Sequence, residues 1–216
     1  MKVLPADIGK LIHLKTLRLF GCGIQTLPPE IGLLVNLEVL DLGDNHIKTL
    51  PPEFCNLIRL RELSMSNNEL IQLPDDIGNL QNLVQLDLSY NKLSTLPLSL
   101  YILNNLYILN LAYNNLQYIS PQISMMPELG SLDLTKNSLQ SIPDKLWFVP
   151  KLYYLSLYKS GANLTIPKNI CDVPPISTTL RRSAIIDAWH GPSYMIPLCP
   201  YTGVGPRNGW YISVIK

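Results

Sequence analysis

Leucine and isoleucine recur along most of the chain in one fixed frame. Residues 37–51 read L-x-x-L-x-L-x-x-N-x-I-x-x-L-P, and the frame starts again every 23 residues. The seven copies begin at Leu14, Leu37, Leu60, Leu83, Leu106, Leu129 and Leu152. Equal intervals without drift indicate stacked structural repeats, because one repeat cannot bury its apolar face alone. We number the positions of each repeat from its first leucine.

The frame predicts the local structure of every repeat. Leucines at positions 1, 4 and 6 point inward from a short strand and turn, so positions 3, 5 and 7 point outward on the opposite face. Asparagine at position 9 turns the chain, and its amide can bond backbone groups of neighbouring repeats, each bond contributing about 0.5–1.5 kcal/mol net. The Leu-Pro step ends the loop, because proline disfavours helix at the preceding residue.

The segment after each Leu-Pro step returns the chain to the next strand. Ile31, Leu34 and Leu37 are three residues apart, which suits a helical or 3₁₀ turn on the outer side. We therefore predict an α/β right-handed solenoid with a curved parallel β-sheet on its inner face and short helical or 3₁₀ turns and loops on its outer face. Seven strands at about 4.8 Å each give a sheet on the order of 30 Å long, enough for an interface of about 800 Å² per partner.

The frame weakens at both ends of the chain. Cys22 and Ser160 replace asparagine in the first and seventh repeats, and the seventh is one residue longer, closing on Ile166-Pro167. Of 41 leucines, 39 precede residue 171. We assign residues 1–13 to a partial repeat, which would make the chain a fragment or truncated product, or to a truncated N-terminal cap. Residues 14–170 form the solenoid.

The last segment follows other rules. Residues 171–216 form either an irregular C-terminal cap or a disordered tail, with six prolines and four glycines among 46 residues. Within it, residues 184–189 are expected to form a short helix or strand, and residues 210–215 a strand.

The repeats resemble the leucine-rich repeat family over about residues 4–167. The phrases LPPEIGLL at residues 27–34 and LPDDIGNL at residues 73–80 are similar to a narrower group, the intracellular Ras-associated scaffold and Ras-suppressor class with its plant relatives. The resemblance implies protein binding, with Ras-type small GTPases or their effectors as partners. The partner class is implied by the family alone and not by these residues.

Composition argues against several other functions. Charged residues make up 15% and hydrophobic residues 47%, unlike a disordered chain, and a net charge of +1 offers no basic face to nucleic acid. Apolar stretches are too short for a membrane span, and Asp7 and Lys10 interrupt any secretory signal. The four cysteines form no CxxC pair, which favours free thiols and a cytoplasmic location.

Motifs for chemistry are weak. The residue types of a hydrolase triad occur at Asp187, His190 and Ser193. Gly191-Pro192 breaks any helix that would align them, and triads are usually drawn from separate segments. Possible zinc ligands occur at Cys171, His190 and Cys199, without paired spacing. Residues 203–209 are glycine-rich but lack the strand–helix frame of a nucleotide site. We therefore predict no enzyme activity, no metal and no cofactor.

The outward positions of the inner sheet have no evident task in folding, so we assign partner binding to this inner face. The candidates are Arg18, Phe20, Asp41, Glu62, Asp87, Tyr90, Asn110, Tyr113, Asp133, Tyr154 and Tyr158. Asp41, Asp87 and Asp133 stand at position 5 of alternate repeats, about 10 Å apart. That spacing favours a cationic partner but is too wide to share a proton or clasp one metal ion. The tyrosines would supply buried area and hydrogen bonds.

We predict a protein–protein interaction module or scaffold of intracellular signalling that binds a protein partner across the inner face. The alternative is the substrate-recognition arm of a larger enzyme, a kinase, phosphatase or ubiquitin ligase, whose catalytic part is absent from this chain. An extracellular ligand sensor is disfavoured, because a signal peptide and capping disulfides would accompany it.

Overall fold

Each repeat forms one turn of the solenoid with a three-residue strand at positions 3 to 5. The computed structural model of the 216-residue chain describes residues 2–162 and 164, and the backbone of residues 185–189, 194–197 and 211–215. The seven repeat strands are Thr16–Arg18 (β1), Val39–Asp41 (β2), Glu62–Ser64 (β3), Gln85–Asp87 (β4), Ile108–Asn110 (β5), Ser131–Asp133 (β6) and Tyr154–Ser156 (β7). They pair in parallel in chain order, which confirms the predicted solenoid sheet.

The outer face is built from 3₁₀ turns, one of the two forms that the three-residue spacing allowed. They are Ala6–Lys10 (η1), Pro29–Leu33 (η2), Pro52–Asn56 (η3), Ile77–Asn79 (η4), Leu98–Ile102 (η5), Pro121–Met125 (η6) and Asp144–Phe148 (η7). Most begin after a proline in extended conformation, such as Pro51 with φ −67° and ψ 149°. Proline at that place stops the preceding loop and needs no hydrogen-bond partner for its nitrogen.

Three further strands extend the sheet beyond the seventh repeat. They are Ile185–Trp189 (β8), Tyr194–Pro197 (β9) and Tyr211–Ile215 (β10), in the order β7-β8-β10-β9. Strand β8 is parallel to β7, and β10 is parallel to β8 but antiparallel to β9. The assignment of residues 171–216 to a cap or a tail stays a prediction, because the segments joining these strands lie outside the described residues.

The core is a stack of leucines from positions 1, 4 and 6. Leu83, Leu86 and Leu88 of the fourth repeat are fully buried, and the middle residue of each inner strand is its most buried one. In the first repeat the corresponding leucines are only partly buried. Residues 2–13 pack on that repeat through η1 and a bridge between Val3 and Thr26.

Buried asparagines at position 9 lock each repeat to the one before it. The ladder consists of Asn45, Asn68, Asn91, Asn114 and Asn137. The Asn91 Oδ1 accepts from the Leu70 N–H at 2.9 Å, and its Nδ2 donates to the Met65 carbonyl of the previous repeat at 2.9 Å. Ser160 retains only the second bond, from its Oγ to the Leu134 carbonyl at 2.8 Å. The expected amide ladder is therefore confirmed.

A second amide ladder, which sequence reasoning missed, runs at position 23, just before the strands begin. The position-9 ladder lies beyond the other ends of the strands. The members of the second ladder are Asn36, Asn82 and Asn105. Each Nδ2 donates to the carbonyl of a residue 24 places earlier, at 2.7 Å for Asn82 to Ile58. These asparagines are more exposed than those at position 9, so each bond adds less to the free energy of unfolding.

A serine replaces the usual proline at the start of η6, and a tyrosine compensates for it. Ser120 has a backbone N–H where Pro28 or Pro51 has none, and this N–H donates to the hydroxyl of buried Tyr101 at 3.2 Å. Burial raises the pKa of Tyr101 to about 12, so the hydroxyl stays neutral. The pair satisfies a buried donor that would otherwise have no partner.

Gly32 and Gly130 both lie where an added side chain would be crowded, but by different kinds of atoms. A Cβ added at Gly32 would clash with the backbone carbonyl of Glu53, whereas the nearest atoms to one at Gly130 belong to the rings of Tyr107 and Tyr153. We expect Gly32→Ala to lower the free energy of unfolding by about 1–3 kcal/mol, because backbone cannot move aside. Gly130→Ala should cost less than about 1 kcal/mol, since the rings can rotate away. Chemical denaturation of both variants measures the difference, and equal midpoints would contradict the predicted packing.

Candidate protein-interaction surface

Strand register aligns the outward residues of the inner face in columns. Position 5 carries Arg18, Asp41, Ser64, Asp87, Asn110, Asp133 and Ser156. Of the other candidates, Glu62 and Tyr154 lie at position 3, Phe20 and Tyr158 at position 7, and Tyr90 and Tyr113 at position 8. The structure thus places the candidates in four neighbouring columns rather than one cluster.

The acidic residues at position 5 have a role in folding. The Asp87 Oδ1 accepts from the Ser89 N–H at 2.9 Å and from the Ser89 hydroxyl at 2.7 Å. The same turn is closed by Asp41 with the Gly43 N–H at 3.0 Å. The expectation that outward positions have no task in folding is therefore wrong at position 5.

Two more residues of this column close the turn in the same way. The Asp133 Oδ1 accepts from the Thr135 N–H at 2.8 Å, and the Asn110 Oδ1 accepts from the Ala112 N–H at 3.1 Å. Asparagine thus serves the turn as well as aspartate does. A carboxylate adds a fixed negative charge, held by its own backbone in one orientation.

Five of the candidates line a shallow groove on the inner face. The groove has a volume of about 320 Å³ and spans β1 to β5, with a partly apolar floor that includes Val39 and Ile108. The five candidates are Arg18, Asp41, Glu62, Asp87 and Asn110. The tyrosine candidates lie outside it, nearer the C-terminal repeats. Phe20, 63% exposed, stands at the N-terminal end beside Gly43.

Position 8 has a left-handed backbone in every repeat. The residues are Gly21, Asp44, Asn67, Tyr90, Tyr113, Lys136 and Lys159, with φ between 49° and 65°. Glycine, asparagine and aspartate accept this conformation readily, whereas other residues pay about 1–2 kcal/mol for it. The first three repeats follow that preference, and the last four do not.

The tyrosines at position 8 contact each other and a lysine. The rings of Tyr90 and Tyr113 stack with centroids 4.0 Å apart, and the Lys136 ammonium lies 4.6 Å from the Tyr113 centroid. A hydrogen bond between the two tyrosine hydroxyl groups raises the pKa of Tyr90 and lowers the pKa of Tyr113. A hydrogen bond from Lys136 lowers the pKa of Tyr113 further. Further along, the Lys159 ammonium lies 5.3 Å from the ring centroid of Tyr158.

A second tyrosine pair lies at position 2, where the strands begin. The ring centroids of Tyr107 and Tyr153 are 5.9 Å apart although the residues belong to alternate repeats. The intervening Gly130 has no side chain, so the two rings meet above it. Both tyrosines stand at position 2 of their repeats, but their contact depends on Gly130, whose importance the sequence did not reveal.

A larger groove of about 740 Å³ follows this same edge, and charges of both signs line it. Its two carboxylates are engaged by lysines: Glu38 with Lys15 at 2.9 Å, and Glu128 with Lys151 at 2.6 Å. The hydrogen bond from Lys15 lowers the pKa of Glu38. A partner would find less free negative charge here than at position 5.

The sequence candidates for catalysis and metal binding lie mostly outside the described residues. No three His, Cys, Asp or Glu side chains come together there in a way that could hold a metal ion. Asp187 belongs to extended β8, while the other triad and zinc candidates, and residues 203–209, lie outside the described residues. Within the described ranges, no helix is long and apolar enough to cross a membrane.

Family models match most of the repeats. A model described as a leucine-rich repeat region matches residues 4–66, and a leucine-rich repeat model matches residues 58–116 and 104–159. A search of curated protein sequences found no significant match. The frame, the inner parallel sheet and these matches together show that the chain belongs to the leucine-rich repeat family, whose domains generally mediate protein–protein interaction.

Solved structures show the same fold. A leucine-rich repeat protein of Leptospira interrogans superposes with a TM-score of 0.74 and 28% identity, over 87% of this chain and 59% of that one. A plant peptide hormone receptor, RGFR1 in complex with RGF2, superposes with a TM-score of 0.69 and 25% identity, over 88% of this chain and 31% of the receptor chain. The leucine-rich repeat domain of the type III effector XopL superposes with a TM-score of 0.66 and 26% identity, over 80% of this chain and 70% of that domain.

The matches are less informative about partners. This chain spans less than two thirds of the length of the first two of these proteins. Neither the family models nor the structures bear on the narrower resemblance to the Ras-suppressor class, or on a Ras-type partner. That resemblance stays a prediction.

Proposed function

We propose that this chain is a non-catalytic interaction module of intracellular signalling that holds a protein partner on its inner face. The observation that carries the proposal is the position-5 column, where Asp41, Asp87 and Asp133 are fixed by their own backbone on a rigid parallel sheet. Fixed charges lose little conformational freedom on binding, so they favour both affinity and a single orientation of the partner.

The partner that suits this surface carries positive charge on an extended or flat segment. Carboxylates on alternate strands lie about 10 Å apart, a distance that three spaced lysines or arginines can match. The apolar floor of the inner groove would be covered at the same time. The exposed ring of Phe20 and the tyrosines would then bury area at the two ends of the contact.

The proposal includes a cytoplasmic location. Supporting it, Cys55 is a free thiol, and burial raises the pKa of Cys55 to about 11, so this thiol stays protonated. Fractionation of cells that express the tagged chain tests the location. Recovery in a secreted fraction would contradict it.

The test of the binding face is a capture experiment with charge-neutral variants. We expect the triple variant Asp41→Asn, Asp87→Asn and Asp133→Asn to bind the captured partner about 10-fold more weakly, since three surface pairs are lost at up to about 1 kcal/mol each. Asparagine keeps the turn, as Asn110 does, so folding should be preserved. The partner captured by the parent is identified by mass spectrometry and its affinity measured with purified proteins.

A matched control removes the same charge from the outer face. Glu53→Gln, Asp75→Asn and Asp144→Asn neutralise three exposed acids on or beside the 3₁₀ turns. This control should bind like the parent. If the inner-face and outer-face variants weakened binding equally, the partner would be responding to net charge and the proposed face would be wrong. A Ras-type GTPase as the captured partner would support the narrower resemblance.

A further inference from the structure

The position-8 column changes character halfway along the solenoid. In the second and third repeats it bonds to itself, because the Asn67 Nδ2 donates to the Asp44 Oδ1 at 2.6 Å. In the next four repeats it presents Tyr90, Tyr113, Lys136 and Lys159, which we call the rim ridge. All four have a left-handed backbone that glycine or asparagine would adopt more readily. Residues held in an unfavourable backbone conformation are often found at functional sites.

The ridge holds two lysines that form no ion pair with any side chain that the structure describes. The ammonium groups of Lys136 and Lys159 instead lie against tyrosine rings. The nearest acidic column is position 5, where Asp133 uses its Oδ1 to accept from the Thr135 N–H. The ridge is therefore a strip of positive charge and phenol hydroxyls beside a strip of negative charge.

We infer that the rim ridge binds an acidic peptide segment of the protein partner. Carboxylates would pair with Lys136 and Lys159, while the stacked rings of Tyr90 and Tyr113 offer a rigid flank and hydroxyl groups. The inference rests on the proposed function, since it assigns a second part of the same partner. Adjacent negative and positive columns would admit a partner with both charge signs in only one orientation.

The two stacked tyrosines differ: the pKa of Tyr90 is raised, first by its hydrogen bond to Tyr113 and in part by Asp133, so the ridge favours negative charge only at its lysine end, beside Tyr113. Hydrogen bonds from Tyr90 and Lys136, and the charges of Lys136 and Lys159, lower the pKa of the Tyr113 hydroxyl. These neighbours stabilise a negative oxygen at that place. A carboxylate of the partner would meet the same donors.

The direct test uses fluorescein-labelled octa-glutamate and the purified full chain, with fluorescence anisotropy as the readout. We expect Lys136→Gln with Lys159→Gln to weaken binding at least 10-fold, and Lys136→Arg with Lys159→Arg to stay within about 3-fold of the parent. Lys10→Gln with Lys48→Gln removes the same net charge far from the ridge and should leave binding unchanged. Equal losses in the ridge and distal variants would overturn the inference.

A second variant separates binding from folding. Lys136→Asn with Lys159→Asn places a residue that favours the left-handed backbone at both sites, so its thermal midpoint should equal or exceed that of the parent while octa-glutamate binding is lost. A lower midpoint with binding retained would assign the lysines to folding and reject the ridge as a site. Binding to phosphatidylserine vesicles but not to octa-glutamate would also reject the peptide, in favour of a lipid surface.

The peptide assay needs no identified partner, so the two proposals can fail separately. Octa-glutamate binding that is lost in the ridge variant, with no partner captured through position 5, would uphold the ridge alone. Capture that depends on position 5, with no octa-glutamate binding, would uphold the inner face and remove the ridge.

Discussion

Asn91→Ala is expected to lower the free energy of unfolding by about 1.5–4.5 kcal/mol. The side chain serves two buried groups of the preceding repeat. Its loss leaves the Leu70 N–H without a partner, and it leaves the Met65 carbonyl with only its longer bond, from the Asn68 Nδ2 at 3.2 Å. A buried group left unsatisfied costs about 1–3 kcal/mol, and the lost bond to the Met65 carbonyl costs about 0.5–1.5 kcal/mol more. Denaturation followed by circular dichroism measures the loss, with the unfolding slope compared to detect any departure from a single transition.

Asn82→Ala is the matched control for that substitution. Its amide makes one bond, to the Ile58 carbonyl at 2.7 Å, and the residue is exposed on the opposite edge of the sheet. Water can replace such a bond, so we expect a loss of at most about 1 kcal/mol. Should the two variants unfold at the same denaturant concentration, the position-9 ladder would not be what couples the repeats.

Leu109→Ala is expected to cost about 2–5 kcal/mol, the range for removing a buried leucine from a packed core. Leu109 lies at position 4 of the fifth repeat and is 1% exposed. Its strand β5 is paired on both sides, so the cavity would open in the middle of the stack where neighbours cannot collapse into it. Thermal denaturation should show a clear fall in the midpoint.

Leu98→Ala provides the same chemical change at an exposed place. Leu98 begins η5 on the outer face and is 65% exposed, so its truncation should change stability by less than about 0.5 kcal/mol. If the Leu109→Ala variant had the same thermal midpoint as the Leu98→Ala variant, the strand register would be wrong.

The fold could be predicted because one frame specifies it seven times. Positions 1, 4 and 6 alternate with outward residues, and each repeat has only one way to bury them, against the next repeat. The ladder at position 9 followed from the same spacing, since a buried amide has to find backbone partners. The second ladder was missed, because Asn36, Asn82 and Asn105 are exposed and share their column with Arg59 and Glu128.

The surface was harder to predict. Asp41 and Asp87 showed as a charged column, but their turn-closing bonds depend on backbone geometry that the residue types do not reveal. The same holds for position 8, whose left-handed backbone makes Lys136 and Lys159 unusual only once φ is known. Partner identity depends on complementary chemistry in another molecule, so no pattern in this chain specifies it.

The position-9 ladder also gives the solenoid a built-in direction. Every position-9 asparagine side chain reaches back toward the N-terminus, so at each of the first five interfaces between repeats it binds one backbone N–H of the earlier repeat. Those reporter protons belong to Ile24, Ile47, Leu70, Leu93 and Leu116. The hydrogen-exchange rates of these five amides would report the opening of five successive interfaces separately. They would therefore show from which end the solenoid frays.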